Sequence, residues 1–184
     1  MDFDQVIAKR RSIRAYQAKE VPESLITKLL EYGHQAPSAG NLTPWEFIVV
    51  RDEQNKRRIV DTTFRGNQFD GEAHQEWLMQ APVFIVVIVN KAKSAARYHD
   101  KALKTLVYLD SSACIENMLL GAVNLGLASC YISGFREPEL RAVLGLPDSH
   151  EVVAFLPIGY GATEGQMRPR TPLKDLIHHE TFGA

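Results

Sequence analysis

The chain has 184 residues, 45% of them hydrophobic and 23% charged, with a formal net charge of -1. That length and balance suit one globular domain over residues 1–184. They exclude a general affinity for nucleic acid, so any cluster of basic residues must serve a local purpose.

The acidic start MDFDQ lacks the apolar core of a signal peptide. Phe3, Val6 and Ile7 recur at helical spacing, so residues 2–10 are predicted to form a short helix. Pro22 suits a first helical position. Leu25, Ile26, Leu29 and Leu30 give a second helix its apolar stripe, which should stop between Gly33 and Pro37. The loop PSAGNLTPW follows, then a strand in EFIVVRD and a polar helix over 53–63. FRGNQFDGEAHQEW reads as a loop with a short helix at its end. Val83 to Val89, an unbroken β-branched and aromatic run, reads as a strand buried on both faces.

Thr105 to Gly126 is apolar around most of its circumference, as expected of a helix inside a core or a subunit interface. Its Asp110, Glu116, Asn117 and Asn124 argue against a membrane span, and Ser111, Ser112, Ala113 and Gly121 would let another helix come close. A strand at 129–133, a helix at 137–144 ending at Gly145, a strand at 152–159 and a tail with one helical turn complete the order. Strands interleaved with helices make the class mixed α and β; spacing alone leaves parallel and antiparallel both open.

Cys114 and Cys130 have no CxxC spacing and no histidine close in sequence, and the six histidines form no HExxH or HxH pair. Neither a disulfide framework nor a metal site is indicated, and a reduced, cytoplasmic setting fits. RRSIR, Arg10 to Arg14, reads in two ways. Arg10 and Arg11 complement the dipole at a helix end, or Arg10, Arg11, Ser12 and Arg14 form an anion site, guanidinium forks being matched to phosphate oxygens. MRPRTP holds Arg168 and Arg170 two residues apart on a path that Pro169 keeps extended. It is a solvated basic tail, or, since chain ends often meet, the second half of an anion clamp.

In PSAGNLTPW, Gly40 and Pro44 suit a cap and turn, while the small residues would also let backbone approach a flat ligand, with Asn41 offering a donor and an acceptor. YISGF places Gly134 in a turn where a backbone N–H could face a ligand. IGYGATEG is not GxGxxG before a helix, and no Gly-x-Ser-x-Gly elbow or paired-carboxylate motif occurs.

The ordered set RRSIR, PSAGNLTPW, GNQ, QAPVFIVV, NLGLASCYISGF, LGLP, LPIGYG and RPR closely resembles the FMN-dependent nitroreductase family over nearly the whole chain. The resemblance implies an α+β sandwich with a mostly antiparallel central sheet flanked by helices. It also implies an intertwined homodimer with the long helix in its interface and two shared FMN sites. Arg10, Arg11, Ser12 and Arg14 would touch the phosphate, ribityl chain and pyrimidine edge, and Arg168 and Arg170 would close on the phosphate. Pro37, Ser38 and Asn41 would come from the other subunit, Asn67 would reach the ring system, and Ser133 and Gly134 would face flavin N5.

The implied activity is ping-pong transfer of two electrons from NADH or NADPH to a small acceptor such as a nitroaromatic or quinone. Arg14 is the residue expected to favour the reduced flavin's anionic pyrimidine edge. The same scaffold carries reductive dehalogenation and flavin fragmentation, and a non-catalytic FMN-binding protein is a third reading. Two departures bear on substrate. Position 133 is Ser where well-known bacterial members carry Glu, and the lid must come from residues 64–80 and 91–104.

Overall fold

The computed structural model describes residues 1–66 and 73–183. Helix α1 (Phe3–Lys9) starts on the Asp2 carboxylate, which accepts the Gln5 amide at 2.9 Å, and it buries only Val6. Helix α2 (Glu23–His34) begins immediately after Pro22, which precedes the first helical residue, and turns Ile26 and Leu29 inward. Strand β1 (Trp45–Val50) leads to α3 (Glu53–Asp61), capped by Asp52 through the Asn55 amide at 2.9 Å.

Strand β2 (Val83–Asn90) is the centre of the sheet. Every residue from Val83 to Val89 is buried, as the unbroken apolar run predicts. Short β3 (Ala128–Ser129) and long β4 (His150–Gly159) complete a sheet of order β1-β2-β4-β3 in which every pairing is antiparallel. Alternation along β2 divides the core. Val83, Ile85 and Val87 pack with Ile26 and Leu29 of α2 and with Cys114, Ile115 and Met118 of α5 (Val107–Asn124). Phe84, Val86 and Ile88 pack with Ile59 and Val60 of α3 and with Leu140 of α6 (Glu137–Leu144). Two helical layers thus enclose one sheet, the α+β sandwich expected. Fully burying each large apolar side chain contributes about 1.5–3 kcal/mol.

Gly33 of α2 lies so close to α5 that a Cβ there would meet Met118 Cγ at 2.8 Å, and Gly121 leaves room for the Tyr32 ring. Gly121 of α5 therefore serves packing within the chain. One expectation is corrected. The strand at 129–133 is regular only at Ala128–Ser129, with one further bridge from Ile132 to Phe155 in the same register, because Pro157 between them has no N–H to donate to the ladder. Residues 91–104, which the sequence offered as part of a lid, are helical apart from a break at His99 (φ 48, ψ -137). Helix α4 (Lys91–Lys101) starts on the Asn90 side chain and runs through a π-helical turn (Ala102–Leu106) into α5. By length and composition this run, Lys91–Asn124, could cross a membrane; half of its most apolar window is buried inside the protein, as a core helix requires.

Candidate functional site

The site begins where α1 ends. Beyond Arg10 the chain straightens and lies beside β3: Ser12 bridges Ser129, and the Ile13 amide donates to the Ser129 carbonyl at 3.0 Å. Ile13 and Tyr16 are buried, while Arg11, Ser12 and Arg14 keep more of their surface in solvent. Tyr16 anchors the segment. Its hydroxyl donates to the Ile13 carbonyl at 2.9 Å, with the Pro157 carbonyl at 3.2 Å, and its ring stacks on Trp77. Burial pushes the Tyr16 phenol far above its ordinary value, so it stays neutral.

The far end of the chain returns to the same place. After β4 the Gln17 amide donates to the Tyr160 carbonyl at 2.8 Å and the Ala162 amide to the Ala15 carbonyl at 2.9 Å. Gly165 then passes over the segment with φ +73; a Cβ there would meet Ile13 Cδ1 at 2.7 Å and Arg11 Cβ at 3.0 Å. Only glycine allows both that backbone conformation and that approach. The crossing delivers Arg168 and Arg170 to a cleft of about 1060 Å³ whose lining also includes Arg10, Arg11, Ser12, Arg14 and Glu116.

Five guanidinium groups thus share one cleft with one carboxylate. Arg10 Nε lies 3.8 Å from Glu116, Arg11 donates to the Arg10 carbonyl at 2.7 Å, and Arg14 sits 5.9 Å over the Trp77 ring. Among the described residues, Arg11, Arg14, Arg168 and Arg170 have no carboxylate partner. Unneutralised like charges held together by backbone geometry make an anion site, and forked donors suit phosphate. Below the cleft, burial pushes the Cys130 thiol up, against the opposing pull of Arg14, the Ser12 hydroxyl and Arg10. It is therefore a packed thiol rather than a nucleophile.

Pro37, Ser38 and Asn41 do not line this cleft. Their loop folds on itself: Ser38 Oγ accepts the Thr43 amide at 2.9 Å, and Gly40, Asn41 and Thr43 all have positive φ. Two side chains from the α4–α5 run hold it. Asp110 accepts the Ala39 amide at 3.1 Å, and Arg97 donates to the Gly40 carbonyl at 3.4 Å. Burial raises the Asp110 carboxyl's affinity for its proton, partly offset by the Ala39 amide, and its Oδ2 has no partner among the described residues.

Ser133 is exposed. The Gly134 carbonyl accepts from the Phe64 amide at 3.1 Å and from Gln75 Nε2 at 3.2 Å; its own N–H donates to no acceptor among the described residues. Asn67 lies outside the described residues. Sequence reasoning missed Tyr16, Trp77, Gly165, Arg97 and Asp110; only Gly165, a glycine shortly before the second arginine pair, gave a signal that could have been read.

The Nitroreductase family model matches residues 7–160. An NADH dehydrogenase of Thermus thermophilus is 31% identical over an alignment 204 positions long, covering 96% of this chain and 95% of the relative. A nitroreductase-type protein from Desulfovibrio desulfuricans, crystallised in complex with FMN, superposes with a TM-score of 0.81 at 26% identity, covering 97% of this chain and 96% of the other. The iodotyrosine dehalogenase 1 homolog of Caenorhabditis elegans is 27% identical over 96% of this chain, which spans 59% of that relative's length. With one family model covering most of the chain, and full-length likeness in both sequence and fold, the chain belongs to the nitroreductase family.

Proposed function

We propose that the protein is an FMN-dependent oxidoreductase. It passes two electrons from NADH or NADPH to a small acceptor such as a nitroaromatic or quinone, with the two substrates using one slot in turn. The observation that carries this reading is the cleft in which Arg10, Arg11, Arg14, Arg168 and Arg170 converge with one carboxylate. That donor set fits a flavin bearing a single phosphate, and no dinucleotide-binding glycine motif competes with it. FMN, when bound, supplies the hydride and electron chemistry.

The chain's own residues bind and orient. Arg168 and Arg170 close on the phosphate from the tail, and Arg10, Arg11 and Ser12 hold it from below. Arg14, steadied over Trp77, presents a fixed positive charge to the pyrimidine edge. The amide of Gly134, which has no acceptor among the described residues, is the backbone donor for the flavin ring. Asn67 is proposed to reach the ring system as well.

The working unit is proposed to be a homodimer in which Pro37, Ser38 and Asn41 complete the partner's site. Phe3, Ile7 and Leu109 are exposed on α1 and α5, and the tail carries Met167, Leu173, Leu176 and Phe182 with no core beneath them in the same chain. Apolar surface of that extent calls for a second protein surface. Two buried free thiols suit a reducing, cytoplasmic setting.

The purified protein is expected to be yellow and, after denaturation, to release one FMN per chain by chromatography. Anaerobic NADH or NADPH should bleach it. Steady-state rates with a quinone should give parallel double-reciprocal lines; release of FAD, or a protein that no nicotinamide bleaches, refutes the reading. The likeness to an iodotyrosine dehalogenase homolog favours one second reading, reductive dehalogenation, which a halotyrosine substrate screen separates from nitro or quinone reduction.

A further inference from the structure

Arg97 and Tyr98 stand next to each other on α4 and turn their polar ends to one point. A Cβ on Gly40 would lie 2.6 Å from Arg97 Nη1 and 2.8 Å from the Tyr98 hydroxyl. Gly40 has φ +58, and its missing side chain lets both polar ends close on its backbone side by side. Neither donor is used up. Arg97 makes one bond of 3.4 Å to the Gly40 carbonyl and meets no carboxylate, and Tyr98 Oη has no hydrogen-bond partner among the described residues. Lys93, one turn earlier on α4, is by contrast paired with Glu46 at 3.3 Å.

The backbone just beyond the pair departs from helical geometry. His99 has φ 48 and ψ -137, and the π-helical turn Ala102–Leu106 follows. Such irregularity re-aims side chains and collects at functional sites. A guanidinium with one long bond to a carbonyl and no carboxylate, side by side with a phenol on a glycine, is a donor pair for an oxyanion on its outer side.

We propose that Arg97 and Tyr98 form an oxyanion subsite beside the Ser38–Thr43 loop, receiving the carboxylate or phosphate of the molecule that reacts in the flavin slot. The inference rests on the reading that this loop lines the flavin. It makes the preferred reactant anionic and Arg97 a specificity-determining residue. The oxyanion has two sources, a carboxylate on the acceptor or the additional phosphate of NADPH, and the test separates them.

Flavin content of wild type, Arg97→Gln, Arg97→Lys and Tyr98→Phe is read first by visible absorbance. Calorimetry then measures benzoate and benzamide binding to the FMN-loaded proteins. Kinetics measure selectivity for 4-nitrobenzoate over 4-nitrobenzamide, and for NADPH over NADH. Wild type is expected to prefer the anionic member of at least one kinetic pair. Arg97→Gln should reduce that preference about tenfold or more, the scale of one charged hydrogen bond. Arg97→Lys should restore part of it, and Tyr98→Phe should cost less than Arg97→Gln. Loss in the nitrobenzoate pair, with weaker benzoate binding, assigns the acceptor; loss confined to the NADPH pair assigns the donor. A yellow protein with all ratios unchanged in Arg97→Gln overturns the subsite and leaves the cofactor reading standing. A wild type that carries and binds no FMN removes both.

Discussion

Arg168→Ala tests the anion clamp with the least collateral damage. Arg168 sits on the exposed tail with no carboxylate partner among the described residues, so its removal breaks no ion pair. Apo-protein stability should therefore change by no more than about 0.5 kcal/mol, the range for surface positions. FMN binding should weaken by about 1.5–3 kcal/mol, the scale of a hydrogen bond to a charged group, or about 10- to 150-fold in Kd. Because four other arginines share the cleft, the lost part includes a long-range term. Raising ionic strength from about 0.1 M to about 1 M shortens the Debye length from about 10 Å to about 3 Å, so the gap between wild type and variant should narrow with salt. The assay is quenching of FMN fluorescence on titration with apo-protein at both ionic strengths, alongside thermal melts of the apo-proteins. A Kd within twofold of wild type at low salt would return Arg168 to the solvated tail and refute the clamp.

Gly165→Val should displace the tail from Ile13, since its Cβ would start 2.7 Å from Ile13 Cδ1 at a positive φ. FMN affinity should fall as far as in Arg168→Ala while the melting temperature falls by only a few degrees, about 1–3 kcal/mol of local strain. Burial holds the Cys114 thiol at about 12 and raises that of Cys130, so both should resist alkylation at pH 8 (about 8) in the native protein and react in denaturant. For Tyr16 the folded phenol keeps its proton where the unfolded chain has begun to ionise. Its contribution is thus complete below the ordinary phenol pKa and declines as pH rises above it, a loss in alkaline unfolding that Tyr16→Phe should reduce. Arg10→Ala and Asn41→Ala, if each abolishes activity, should complement on co-refolding, because a mixed two-fold dimer has one intact site; mixed dimers without activity would place both residues at one chain's site.

The sheet was legible because its signal is local. Val83 to Val89 carries β-branched and aromatic residues at every position, which only a strand buried on both faces uses in full. Helix α5 was legible for the same reason. Helix α4 was not: it buries only Ser94, so KAKSAARYHDK offers no apolar stripe, and its start is set by the capping Asn90 side chain. The arginines could be named from sequence and their meeting expected, but not what brings them together: the pairing of residues 12–17 with 129 and 160–162 and the approach at Gly165. Arg97 and Tyr98 left no trace in the sequence, because a cation and an aromatic on a polar helix look the same whether or not they converge on a glycine.

The tail that carries Arg168 and Arg170 has another consequence. From Ala162 onward every described residue is exposed, and the backbone bonds fastening its base are those to Ala15 and Gln17. Segments held this lightly open locally at a small fraction of the free energy needed to unfold the domain. Escape of the cofactor then requires only that the tail peel back from the 12–17 segment while the sheet stays intact. Residence time and global stability become separate properties. A core change such as Ile85→Val should lower the melting point yet leave the flavin off-rate alone, whereas shortening or loosening the tail should speed release in a protein that melts as before.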